Sequence, residues 1–167
     1  KQIFRYFLLG LGAAAGLSAC NKEGGAAPDA TSLHVDFHVM TDLNVVKSAA
    51  LSDENKVTAI DLFAFDAASG LLEVMQRDIP SKAPSDAGVA GEKKVGDVSL
   101  SFGKGGAKKI LAIANTAANR VELPASLEAG VTTYAQMLES VVRLPEGNGA
   151  PSSPFVMTGY ANDVQTG

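Results

Sequence analysis

The sequence predicts a mainly β protein, a β-sandwich with one short amphipathic surface helix. Several short segments are either alternately or continuously apolar, and turns rich in Gly, Ser and Pro separate them. Only one segment repeats apolar residues at a helical period. The 167 residues carry 19% charged side chains and a formal net charge of −4, and their length suits one domain. Short strands joined by frequent turns are typical of two packed antiparallel sheets.

Residues 1–19 are predicted to be a signal peptide. Lys1 and Arg5 supply a positive start, and Tyr6 to Leu17 form an apolar stretch. That stretch is shorter than the roughly 20 apolar residues that span a bilayer, but it suits the apolar region of a secretory signal.

The apolar stretch runs into Leu17-Ser18-Ala19-Cys20, which resembles the lipobox of bacterial lipoproteins. The resemblance implies that signal peptidase II cuts between Ala19 and Cys20 and that the Cys20 thiol carries a lipid. The alternative is an ordinary signal peptide or a buried helix that happens to end in cysteine. Cys20 is the only cysteine, so it has no partner for an internal disulfide, and this favours lipidation. Asn21 is not acidic, so we expect an anchor in the outer membrane.

Residues 20–31 are predicted to form a flexible tether, because they are rich in Gly and Ala and contain Pro28. The folded domain is expected to cover residues 32–167. It begins with Ser32 to Thr41, where apolar and polar residues alternate as in a half-buried strand. Asp42 to Asn55 is a polar connection.

Lys56 to Phe65 is almost continuously apolar, which predicts a strand buried on both faces. Asp66 to Gly70 is a predicted turn, and Leu71 to Arg77 returns as its hairpin partner. Pro80 to Gly91 has the composition of a loop.

Val95 to Phe102 and Lys108 to Asn115 are the next predicted strands, and Gly103 to Gly106 joins them. That glycine-rich segment lacks the spacing of a phosphate-binding loop and precedes a strand, so a hairpin turn is favoured. Phe155 to Gly159 begins a further strand.

The one predicted helix is Tyr134 to Arg143. Its apolar residues recur at intervals of three and four, so they share one face. Thr133 and Gln136 have the spacing of a capping box, in which each side chain binds an amide left open at the helix start.

His34, Asp36 and His38 are the strongest candidates for a metal site, because they share one face of a predicted strand. Side chains two positions apart on a strand are about 6.6 Å apart, which is wide for one ion. A polar face exposed to solvent is the favoured interpretation, and we predict no metal or other cofactor.

No catalytic residues are predicted either. The chain has no G-x-S-x-G motif, its carboxylates are scattered, and a lipidated Cys20 could not act as a nucleophile. The sequence therefore indicates a protein that is not an enzyme. It also lacks a basic block for nucleic-acid phosphates, and aromatic residues are only 6% of the chain, which gives glycan binding little support.

Lys47-Ser48 stands in the polar connection between two predicted strands. A solvated loop lysine is the simplest interpretation. The functional alternative is a processing site, at which a cut would release the lipidated segment together with strand 32–41.

The order of four segments resembles the fimbrillin superfamily of Bacteroidales, namely the major fimbrial subunits with their anchor and tip lipoproteins. The segments are LSAC, KVTAIDLFAFDAASGLLE, AKKILAIANTA and PFVMTG, and the resemblance covers most of Ser32 to Gly159. It implies an amino-terminal domain with a transthyretin-like β-sandwich. A second such domain usually follows, and we expect this chain to lack it.

The resemblance also implies a route of assembly. In polymerising members a protease cuts after a basic residue, typically Arg, behind the first strand, and a strand of a neighbouring subunit fills the opened groove. Lys47 has the corresponding place here, which departs from Arg. If Lys47-Ser48 is cut, the protein is a stalk or tip subunit of a surface fimbria. Its partners are then other fimbrial subunits, with host or bacterial receptors as further candidates.

If nothing is cut, Cys20 keeps its lipid and the protein is a fimbrial anchor in the outer membrane or a surface adhesin component. A different class of function is a monomeric surface lipoprotein that binds a ligand through its loops, since the same fold serves both purposes.

Overall fold

The computed structural model of the chain describes residues 8–10, 31–40, 56–88, 91–116, 123–142 and 156–166. Its elements are, in chain order, β1 (Leu8–Gly10), β2 (Thr31–Met40), β3 (Ala59–Asp66), β4 (Leu72–Pro80), β5 (Ser85–Asp86), β6 (Glu92–Phe102), β7 (Gly106–Ala114), α1 (Tyr134–Val142) and β8 (Met157–Thr166).

The strands form two four-stranded sheets. Sheet I has the order β1-β2-β6-β5, and sheet II has the order β4-β3-β7-β8. Every pairing is antiparallel. This architecture confirms the predicted mainly β sandwich.

The main core consists of buried apolar residues from both sheets. Its largest fully buried members are Phe37, Ile60, Leu62, Leu100 and Ile110. Alternation explains how β2 contributes, because every second side chain of a strand points to the same face.

A second apolar cluster covers the other face of sheet II. It consists of Phe63, Phe65, Leu72, Leu111, Ile113 and Met137. Strand β3 therefore has apolar neighbours on both faces, and this is the physical reason for its almost continuously apolar sequence.

Helix α1 lies over this second cluster through Met137, which is fully buried. The Tyr134 ring packs edge-on against Phe65, with 5.2 Å between ring centres. The predicted capping box is confirmed: the Gln136 amide donates to the Thr133 hydroxyl, and the Thr133 amide donates to the Gln136 side chain. The predicted end of the helix at Arg143 lies outside the described residues.

The predicted strands are confirmed with small shifts at their ends. Strand β3 starts at Ala59, three residues later than predicted, and β6 starts at Glu92, three residues earlier. The predicted loop Pro80 to Gly91 contains the two-residue strand β5, which is too short to leave a periodic signal. Within the described part of the chain, no helix is long and apolar enough to cross a membrane.

Candidate functional site

Strand β2 lies against β6 and against the main core. We call this position the seat of β2, and it is the candidate functional site. The strand pairs with β6 over its full length, from Thr31 opposite Phe102 to Met40 opposite Glu92. Its inward-facing side chains are all buried in the main core, and they are Leu33, Val35, Phe37 and Val39. Strand β2 thus contributes to the core although one strand provides nearly all of its backbone pairing.

The centre of the seat is a contact between an aromatic ring and a glycine. Phe37 is opposite Gly96, and it is fully buried. A Cβ atom on Gly96 would lie 3.4 Å from Cδ2 of Phe37 and 3.8 Å from Cδ1 of Ile60. The ring therefore packs directly over a position without a side chain, as aromatic residues do when they cover glycine across a strand pair.

The outer face of the same strand pair carries an ionic network. The Asp36 carboxylate lies 2.6 Å from the Lys94 ammonium and 3.2 Å from Nε2 of His34. Nδ1 of His34 is within 3.1 Å of the Ser99 hydroxyl. Lys94 also lies 3.4 Å from Asp97, which is on the same strand. The carboxylate from β2 therefore joins an ion pair between two residues of β6.

The charges shift the pKa values of two groups in this network. Hydrogen bonding to the Lys82 ammonium, 2.7 Å away, lowers the pKa of Asp97, and Lys94 lowers it further. The Asp36 carboxylate raises the pKa of Lys94, with a smaller contribution from Asp97. Both shifts favour the charged forms.

His38 corrects the interpretation of this face as simply exposed to solvent. It is buried, and its Nδ1 lies 2.9 Å from the Glu92 carboxylate. A register shift between Phe37 and His38 locally disturbs the alternation of the strand. His34 and His38 thus have different partners, and among the described residues no group of three or more potential ligands is arranged to hold a metal.

A second polar feature fixes the chain where it enters β3. The Asn115 side-chain oxygen accepts hydrogen bonds from the Thr58 amide and hydroxyl, both at 2.9 Å. Its side-chain amide donates to the Lys56 carbonyl at 2.9 Å, and its backbone amide donates to the Ala59 carbonyl at 3.0 Å. Asn115 has a φ of +63°, a conformation that asparagine adopts more readily than most residues. We call these contacts the Asn115 clamp.

The predicted processing residues lie outside the described part of the chain. These are Ala19 and Cys20, predicted for export, and Lys47 and Ser48, predicted for maturation. In the sequence, residues 41–55, which contain the last two, lie between β2 and the clamped segment. Their roles remain predictions.

Strand β1 lies within the predicted signal peptide. It pairs with the edge of β2 that faces away from β6, with Leu8 opposite His38 and Gly10 opposite Asp36. The predicted signal peptide thus supplies a neighbour for β2 in the full chain.

A half-open cleft of about 310 Å³ lies beside α1, away from β2. Among its lining residues, Glu139 is the only one with a carboxylate, and the others include Ser126, Thr132 and Gln136. This lining does not provide the pair of groups that acid–base catalysis uses.

Sequence reasoning placed β2 and its inward face correctly, but it missed three contributors to the site. These are Gly96 and Lys94 on β6, and Asn115 directly after β7. A glycine inside an alternating strand is a signal of close packing, and it marks Gly96. An asparagine directly after an apolar strand could have marked the end of β7, because asparagine tolerates positive φ.

The model of the family described as Major fimbrial subunit protein (FimA) matches residues 32–166. No curated protein and no solved structure matches significantly. The match covers most of the chain, so the chain belongs to this family and the predicted resemblance is confirmed. Membership implies a structural subunit that assembles with other fimbrial subunits at the cell surface.

Proposed function

We propose that this member of the major fimbrial subunit family is a stalk or tip subunit that assembles by donor-strand exchange. The chain is exported as a lipoprotein precursor, and a protease then removes β2 together with the lipid on Cys20. The observation that carries the proposal is the seat of β2, where one strand, β6, pairs with it along its full length and its apolar face enters the core. Any strand that supplies the same backbone pairing and apolar alternation can occupy such a seat.

Export would prepare β2 for removal. Cleavage between Ala19 and Cys20 takes away β1, which pairs with the outer edge of β2. Strand β2 is then left with β6 as its neighbour in sheet I, and it becomes an edge strand. Edge strands are the strands that other chains replace or extend, because their backbone groups are paired on one side only.

The energetics require that a new strand enters as β2 leaves. Burial of one large apolar side chain stabilises a fold by about 1.5–3 kcal/mol, so the four buried side chains of β2 contribute roughly 6–12 kcal/mol. This range is comparable with the whole stability of a typical domain, about 5–15 kcal/mol. A domain with an empty seat would therefore be close to unfolding, which favours direct exchange over prior release.

The Asn115 clamp supports a cut in the segment between β2 and β3. Lys47-Ser48 lies between β2 and the clamp. A cut there separates β2 from β3 while the hydrogen bonds to Lys56, Thr58 and Ala59 remain. The hydrogen bonds that hold the start of β3, in the centre of sheet II, would thus remain after maturation.

The first experiment is to measure the amino terminus and the intact mass of the protein isolated from its native envelope. We expect a terminus at Ser48 and no lipid. A terminus at acylated Cys20 would contradict the proposal, and it would favour an uncleaved anchor or a monomeric surface protein that binds a ligand.

Two substitutions test the role of the cut itself. Lys47→Gln should abolish maturation and the ladder of polymers that resist sodium dodecyl sulfate. The matched control is Lys56→Gln, which removes an exposed lysine just before β3 but keeps the backbone carbonyl that Asn115 binds. Equal ladders from both variants would rule out Lys47 as the processing residue.

A further inference from the structure

We propose that the seat of β2 prefers a strand that carries an acidic, an aromatic and a basic residue in succession. We call these three consecutive residues the code. The occupant is a strand of another fimbrial subunit that runs antiparallel to β6, as β2 does. This inference rests on the proposed function and specifies the chemistry of the partner strand.

The aromatic position of the code follows from the packing at Gly96. Gly96 provides no side chain opposite Phe37, and a Cβ atom there would lie 3.4 Å from the Phe37 ring and 3.8 Å from Ile60. A smaller side chain at this position would leave a void next to Gly96, and voids in a core are destabilising in proportion to their volume. The other inward positions, Leu33, Val35 and Val39, are aliphatic.

The acidic position follows from the charges that remain on β6. Without Asp36, Lys94 keeps only Asp97 as a close carboxylate among the described residues, and Asp97 is shared with Lys82. An occupant with a carboxylate next to Lys94 replaces the ion pair that Asp36 makes. A basic residue there would face the Lys94 ammonium, and a like charge of this kind penalises a wrong partner.

The basic position follows from Glu92. Its side chain is only 11% exposed, and it pairs with a His38 side chain that is 11% exposed. An occupant without a donor at this point would leave a largely buried carboxylate without its partner, which is costly. Asp36, Phe37 and His38 are consecutive, and this combination of residue classes occurs once in the 167 residues.

The test uses the full chain with a site for a sequence-specific protease inserted between Lys47 and Ser48. After cutting, an excess of a fluorescent peptide with the sequence of residues 31–40 is added, and its incorporation is measured after gel filtration. Peptides with Asp36→Lys or Phe37→Ala are compared with a Ser32→Ala peptide, whose change is exposed at the surface. We expect the first two to enter at least about tenfold less than the native and control peptides.

A charge exchange provides the decisive comparison. The Lys94→Glu chain should accept the Asp36→Lys peptide better than the native peptide. The matched Lys93→Glu chain, with the same change on an exposed neighbour, should keep the native preference. Circular dichroism of both chains checks that they fold, and the peptide substitutions need no change in the domain.

The outcomes separate the two proposals. If the native peptide never enters the seat, donor-strand exchange itself fails, and the code fails with it. If all peptides enter equally, exchange stands and the code is wrong. Selective entry that reverses with Lys94→Glu supports the code.

Discussion

The two sheets of the sandwich are built in different ways. The central strands of sheet II, β3 and β7, place apolar residues both in the main core and in the cluster under α1. Sheet I has one apolar face, and its other face carries the ionic network of β2 and β6. Under the proposed function the two sheets have different roles, in which sheet II keeps its strands while sheet I holds the strand that is replaced.

The largest expected effect tests sheet II as the stable half. Phe63→Ala should lower the free energy of unfolding by about 3–5 kcal/mol, because the side chain is fully buried in the cluster under α1. Chemical denaturation of the full chain measures it. The control is Ser101→Ala, an exposed change on sheet I. A loss below about 1 kcal/mol would show that the second cluster contributes little, and the contrast between the sheets would not hold.

The next effect concerns the Asn115 clamp, which holds the end of the segment between β2 and β3, where the chain enters sheet II. Asn115→Ala should cost about 2–4 kcal/mol, because it leaves the Thr58 amide and the Lys56 carbonyl without these partners and forces alanine into positive φ. Asn115→Asp is the control, since its carboxylate keeps both acceptor contacts to Thr58 and loses the donor to Lys56. We expect it to lose clearly less stability in the same denaturation experiment. Equal losses would assign the effect to the hydrogen bond donated to the Lys56 carbonyl, which both variants lose.

The third effect concerns helix α1, which lies over the second apolar cluster of sheet II. Thr133→Ala removes the side chain that accepts a hydrogen bond from the Gln136 amide at the start of α1. Loss of such a cap costs about 1 kcal/mol. Thr133→Ser keeps the hydroxyl and should be nearly neutral. Thermal unfolding of both variants measures the difference, and a Thr133→Ala protein as stable as the native chain would mean that tertiary packing alone holds the helix.

The sequence predicted sheet II better than the seat of β2. The apolar run of β3 and the periodicity of α1 are local patterns, so a single segment contains the whole signal. The partners of β2 are not local, since Gly96 and Lys94 contact Phe37 and Asp36 from more than fifty positions away. A bulge next to Phe37 also changes the register, and it turns His38 from a predicted exposed residue into a buried one. Pairings across strands depend on register, which the sequence of one strand does not specify.

The smallest expected effect concerns the outer face of sheet I, where the charged groups are well solvated and single ion pairs contribute little. The pKa of Asp97 is lowered in the folded state, so its stabilising contribution is fully present above its unfolded pKa of about 3.9. This contribution is lost as the pH falls through the lower, folded pKa. The pKa of Lys94 is raised, so its contribution is present below about pH 10.4 and is lost as the pH rises through the folded value.

Thermal unfolding of the native chain and of Asp97→Asn across pH tests this assignment. The native chain should be more stable near neutral pH, and the difference should vanish in acid, where the carboxylate of the native chain is protonated as well. Added salt should reduce the difference at neutral pH, because it screens exposed charges. A difference that persists unchanged in acid would assign the effect to packing of Asp97 rather than to its charge. The outer face of sheet I would then stabilise β2 without the charge selectivity that the proposed code requires.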